Sequence, residues 1–223
     1  MSKKLKLWII VSSILLVFFI GFTCAVKFID VQAVGEAGSK VGFAFVNEPF
    51  MKAIGQSETW LKVSEIFGLM GIALAGCLIV LGIVQWVQRK SIKKVDYQIF
   101  DLATLYSLMI VLYLLFEIVV VNKRPILVEG KLEASYPSSH TLLSICIFGS
   151  AIQMINYLIS NKKIKVVLNC LCVICMTFVV VGRMLSGVHW FTDIIGSVIL
   201  GCVLLSIFNV MLISKNANNN KKQ

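Results

Sequence analysis

The chain alternates between long apolar runs and short polar segments. Apolar runs lie near residues 7–26, 65–87, 101–121, 141–160, 164–182 and 191–213. A helix needs about 20 residues to cross a bilayer core, and runs of 18 or more qualify as candidates. Lipid offers no partners for open backbone groups, so spans this apolar must be helical. The pattern therefore predicts an all-α, polytopic membrane bundle of about six transmembrane helices, forming a single domain over residues 1–223. Residues 27–62 are too polar to span. Within them "EPFMKAIG" and "SETWLKVSEIFG" predict two short amphipathic helices, with Asn47 and Ser57 as candidate caps. Such a segment can lie on the bilayer surface as an ordered outer loop, or serve as a lid or lipid-entry wall; the pattern leaves both open. The polar ending predicts a disordered tail over 214–223. No internal repeat is evident.

Composition sharpens this picture. The chain is 58% hydrophobic and only 14% charged, with a net charge of +10. Soluble domains carry about 25% charged residues. A basic balance can signal nucleic acid, but the positive residues cluster at the ends of apolar runs and no soluble domain remains to bind it. Membrane lipids are the expected surroundings, and nucleic acid is excluded as a partner. Lys3, Lys4 and Lys6 precede the first run, "QRKSIKKVD" and "NKKIK" are basic connectors, and the tail is basic again. The positive-inside rule places these segments and both termini in the cytoplasm, and the other three connectors outside. The first run, though preceded by lysines, is long for a signal peptide and lacks an Ala-x-Ala site, so it reads as a retained helix. The seven cysteines all lie in apolar runs. They read as free, buried small hydrophobes rather than a disulfide framework, and "CLCVIC" lacks accompanying metal ligands.

The candidate chemistry sits on the outward connectors. Only two histidines exist, His140 and His189. In "YPSSHTLL", Pro137 ends one conformation, and Ser138 and Ser139 can cap a helix starting near His140. A helix N-terminus presents free N–H groups and a positive dipole end, suited to an anion. In "GRMLSGVHWFTDIIG", Arg183 precedes His189, and Asp193 follows it at i+4, a spacing that puts both on one helical face. A carboxylate bonded to one ring nitrogen fixes the tautomer and frees the other nitrogen to act as nucleophile or base. In "NKRP", Arg124 offers a fork of donors suited to phosphate, with Lys123 beside it. The set meets the needs of phosphoryl transfer through a phosphohistidine. No carboxylate cluster suggests a metal, so a metal-independent mechanism without cofactors follows.

These three blocks resemble the type 2 phosphatidic acid phosphatase superfamily, whose pattern is Lys-x6-Arg-Pro, Pro-Ser-Gly-His and Ser-Arg-x5-His-x3-Asp. The matching stretches are "EIVVVNKRP", "PSSH" and "GRMLSGVHWFTD". The resemblance implies that His189 attacks phosphorus, that Asp193 orients it and that His140 protonates the leaving group. It also implies that Arg124, Arg183 and Ser138, helped by amides near Ser139, hold the phosphate. The expected activity is a membrane phosphatase acting on a lipid phosphate at the outer face. Undecaprenyl diphosphate, phosphatidate and phosphatidylglycerophosphate are the candidate substrates.

Three positions depart from the pattern. Ser139 stands for glycine, Gly182 for serine and Glu117 for the first-block lysine. The last reverses a charge. In a continuous helix Glu117 and Arg124 share a face about 10 Å apart, and Tyr113 lies on it too. Glu117 would then pair with Arg124 or Arg183, or be protonated by burial, or weaken phosphate binding. Lys123 points away from that face unless the helix unwinds before Pro125. Two rival functions stay open: a phosphotransferase using the same phosphohistidine, and a non-catalytic lipid-phosphate binding or transport protein.

Overall fold

The computed structural model describes residues 1–35, 38–128 and 130–219, with side chains of the last helix followed to Lys215. Its helices are α1 (Lys3–Phe28), α2 (Ala44–Ile54), α3 (Glu58–Arg89), α4 (Tyr97–Ile118), α5 (Ser139–Leu158), α6 (Lys162–Leu185) and α7 (Phe191–Asn219). All except α2 are long and apolar enough to cross a membrane, which makes this a multi-pass membrane bundle. Exposed Ile, Leu, Val and Phe side chains cover the outsides of α1, α3, α4 and α6, as a lipid-facing belt requires. Three helix starts carry side-chain caps: Ser2, Ser57 and Asn161 each accept a bond from a first-turn amide.

The most buried span is α5, which packs against α3, α4, α6 and α7. Small residues let α5 and α7 approach closely. A Cβ on Gly149 would lie 2.3 Å from Leu205, and one on Gly201 would lie 2.5 Å from Ile145. Helix α1 lies along α7 and contributes Phe19 and Val26 to the main core.

Several sequence expectations are corrected. The segment over 27–62 contains a two-stranded antiparallel hairpin, β1 (Gln32–Val34) with β2 (Ser39–Val41). Its first helix begins at Ala44, so Asn47 lies inside α2 instead of capping it. There Asn47 is fully buried: its amide donates to the Gly42 carbonyl at 2.8 Å and to Thr192 Oγ1 at 2.9 Å. It therefore pins the outer segment to the start of α7. Ser57 does cap its helix, but that helix is the first turn of the long α3 rather than a separate piece. Helix α7 runs on to Asn219, through the first part of the expected tail; 220–223 lie outside the described residues. Of the cysteines, Cys146, Cys172 and Cys175 are buried, whereas Cys24, Cys77, Cys170 and Cys202 are exposed on the membrane helices.

The chain's up-and-down course gathers six helix ends at one end of the bundle: the last turns of α1, α4 and α6, and the first turns of α3, α5 and α7. Cross-connections mark this end, including Lys27 Nζ to the Val120 carbonyl (2.6 Å) and Ser57 N to the Ser186 carbonyl (3.2 Å). The opposite end holds an Arg89–Asp96 pair at 2.6 Å and the buried Asp101 paired with Lys215.

Candidate active site

Helix α4 stops at Ile118, before the expected end at residue 121. The run Val119-Val120-Val121 is β-branched and loses side-chain freedom in a helix, and Pro125 disfavours helical conformation at Arg124. The chain then makes a ladder-like excursion over residues 122–135. Ser135 N donates to the Asn122 carbonyl at 2.9 Å, Arg124 N to the Glu133 carbonyl at 3.0 Å, and Lys123 bridges Ala134. Arg124 is therefore off the helix that carries Glu117, and the shared helical face expected for them does not exist.

Both ends of this excursion meet one carboxylate. Asp193, in the first turn of α7, is fully buried. Its Oδ1 accepts from Asn122 Nδ2 at 3.1 Å; its Oδ2 accepts from Ser135 Oγ at 2.5 Å and from Trp190 N at 3.0 Å. A buried carboxylate without donors would be very costly, so these three bonds hold the charge in place. The Trp190 indole fixes the same excursion by donating to the Lys123 carbonyl at 2.7 Å.

His189 precedes α7, in the short connector after α6, and is 2% exposed. Its Nδ1 is 3.9 Å from Asp193 Oδ2, beyond hydrogen-bond reach, but 3.0 Å from Ser135 Oγ. The direct His189–Asp193 bond expected from the i,i+4 spacing is replaced by a bridge through Ser135. Helical spacing relates two residues only within one helix, and His189 precedes the start of α7. Nε2 of His189 is buried and has no hydrogen-bond partner among the described residues. Burial drives the His189 pKa below its ordinary value near 6.5; the charges of Arg124 and Arg183 act the same way, and Asp193 opposes them. That direction favours the neutral ring, in which Nε2 carries its lone pair when Nδ1 holds the proton.

Arg183, at the end of α6, is 3% exposed, and neither its Nε nor its Nη2 has a hydrogen-bond partner among the described residues. Glu65 on α3 stands 3.8 Å from the Arg183 Nη2. Gly182 before it fits a tight contact: a Cβ there would stand 2.8 Å from Ser64. Arg124 faces Glu133, with Nε 3.2 Å from Oε2. Both arginines thus pair with acids other than Glu117, contrary to the positioning role considered for it. Glu117 is exposed and borders the same narrow cleft as Arg124, Ser135, Ser139 and His189.

The "PSSH" block forms the start of α5, with Ser138 in the capping position. Its hydroxyl donates to Thr141 Oγ1 at 3.1 Å instead of pointing to an open site, and the residue is fully buried. Ser139 lines the cleft beside His189. It also lines, with His140, Glu65, Tyr113 and Leu143, an apolar groove of about 480 Å³ between α3, α4 and α5. His140 faces that groove. Lys123 borders a separate cleft with Lys27 and Lys40, away from the histidines. Ser135 and Asn122 escaped the sequence reading because neither is charged and both lie more than fifty residues from the groups they hold. The one available signal was position: Asn122 opens the "NKRP" block, and Ser135 directly precedes "YPSSHTLL".

The profile of the PAP2 superfamily matches residues 102–216, slightly more than half of the chain and all three blocks. No curated protein matches the sequence. Among solved structures, the fold is similar to the crystal structure of a transmembrane PAP2-type phosphatidylglycerolphosphate phosphatase from Bacillus subtilis. The TM-score is 0.59 at 21% identity, covering 89% of this chain and 94% of that one. At that identity the likeness is one of fold.

Proposed function

The chain belongs to the PAP2 superfamily, and from that premise we propose that it is an integral membrane phosphatase that hydrolyses a lipid phosphomonoester or diphosphate through a phosphohistidine. The observation that carries this reading is the buried, unpartnered Nε2 of His189, on a ring that feels the charges of Arg124 and Arg183. An imidazole engaged at Nδ1 and open at Nε2 is arranged to attack, and the arginines supply charge for the phosphoryl oxygens. In the first step, Nε2 forms a bond to phosphorus as the ester oxygen leaves, taking a proton from His140. In the second, His140 takes a proton from water as its oxygen attacks the phosphohistidine, releasing phosphate and restoring His189. Arg124, Arg183, Ser139 and the first-turn amides of α5 would hold the phosphate, with Ser138 shaping that turn. The groove beside His140 suits the lipid's apolar portion. The basic segments at the opposite end support an outward-facing site with both termini in the cytoplasm.

Phosphate release from undecaprenyl diphosphate, phosphatidate and phosphatidylglycerophosphate by purified protein tests the activity. We expect release from at least one of them, undiminished in excess chelator; strict loss there would overturn the metal-independent mechanism. A phosphorylated acceptor in place of free phosphate would turn the reading towards a transferase.

Glu117 sets a second expectation. It adds a negative charge to the cleft, while both arginines are paired elsewhere. Replacing it by lysine should raise kcat/KM on dianionic lipid phosphates by on the order of tenfold, a modest change in transition-state energy. A large loss in the Glu117→Lys protein would instead show that Glu117 organises the site.

A further inference from the structure

The link between Asp193 and His189 is indirect, and the residue between them belongs to neither histidine motif. Ser135 Oγ is 2.5 Å from Asp193 Oδ2 and 3.0 Å from His189 Nδ1, while the two ends of this chain of atoms are 3.9 Å apart. A hydroxyl has one proton to give and lone pairs to accept with. Ionised Asp193 can only accept, so the Ser135 proton points to Oδ2. The Ser135 oxygen must then accept from His189, which places the ring proton on Nδ1. No other assignment satisfies both contacts while Asp193 is charged. Everything around Ser135 reinforces its direction. The residue is 3% exposed, and its amide is tied to the Asn122 carbonyl, independently of the side chain. Asn122 Nδ2 and Trp190 N also donate to Asp193.

We propose that Ser135 is a positioning residue that relays the orienting influence of Asp193 to His189, so that the working unit is Asp193–Ser135–His189 rather than a carboxylate–imidazole pair. The Ser135 hydroxyl is taken up by Asp193 and His189, although the residue borders the cleft. It fixes the His189 tautomer and aims Nε2, and it passes on stabilisation as the ring gains positive charge during attack. The inference rests on the phosphohistidine reading for its catalytic consequence, though not for its geometry.

The test compares wild type, Ser135→Ala, Ser135→Thr, Asp193→Asn and the Ser135→Ala/Asp193→Asn double variant. Ser135→Ala should lower kcat by about 10- to 100-fold, as removal of a group that orients a working imidazole does. KM should change little, and Ser135→Thr, which keeps the hydroxyl, should recover most of the loss. Losses from Ser135→Ala and Asp193→Asn should not multiply, because both break one chain. The acidic limb of the pH–rate profile should move to lower pH in Ser135→Ala, since the ring loses part of the support for its charged form.

A second readout needs no turnover. The protein has only two histidines, so ¹⁵N-histidine labelling in a His140→Ala background without a histidine tag leaves one imidazole, His189. Asp193→Asn should shift its Nδ1 resonance when Ser135 is present and leave it unmoved in Ser135→Ala. If Asp193→Asn shifts the resonance equally with and without Ser135, the relay is wrong, whatever the activity. Full turnover by Ser135→Ala would overturn it as well. A His189→Ala protein that still turns over would sink the nucleophile assignment alone, leaving the imidazole result to decide the relay.

Discussion

Replacing His189 by alanine should reduce phosphate release by on the order of 10⁴-fold or more, the scale on which loss of a covalent nucleophile is felt. The expectation follows from the surroundings of the ring. Nδ1 is committed to Ser135, and Nε2 is left without a partner in a buried position. Among the described residues that line the cleft, His189 is the only imidazole. Because the arginines and the α5 amides survive the change, lipid-phosphate binding should persist within a few-fold. Phosphate release and equilibrium binding, measured on the same detergent preparation, separate the two effects. Full turnover by the variant would show that His189 is not the nucleophile.

The second large effect is expected at Arg183. Its side chain is nearly fully buried, yet Nε and Nη2 find no hydrogen bond, and Glu65 stands 3.8 Å away with half its side chain in the open. A buried guanidinium held this loosely is poised for an incoming anion with better geometry. Arg183→Ala should lower kcat/KM by about 10³-fold, near the upper range for losing one oxyanion donor, because a formal charge goes with it. Arg183→Lys should restore little: an ammonium cannot reproduce the planar fork. Removing Arg183 leaves no buried acid unpaired, so the fold should tolerate the change. Unaltered kcat/KM in Arg183→Ala with retained thermal stability would remove it from the phosphate site.

The sequence made the spans readable because apolar runs of bilayer length have one structural solution. The three blocks were readable because ionisable residues, histidine included, are rare and costly in membrane helices unless they have a role. Geometry between segments was not. Arg124 and Glu117 are seven residues apart, but three valines and a proline end the helix between them, and Arg124 takes Glu133 as its partner. His189 and Asp193 have helical spacing, yet the helix begins at Phe191. Ser135 and Asn47 are ordinary polar residues in one dimension. Their importance appears only when chain folding brings Asp193 and Thr192 to them. Local rules place caps and spans; the uncharged residues that join segments need the third dimension.

The excursion over 122–135 starts and finishes at the same carboxylate, and its far turn is closed by reciprocal bonds between Val128 and Lys131, each 2.9 Å. Within that turn Gly130 has open space around it. Length added there is absorbed beyond two rungs of backbone pairing, so the base does not feel it. The turn is therefore a place to insert a short epitope or a protease site. In sealed vesicles of known sidedness, antibody or protease access to that insertion would report which compartment the histidines face, without any substrate in hand.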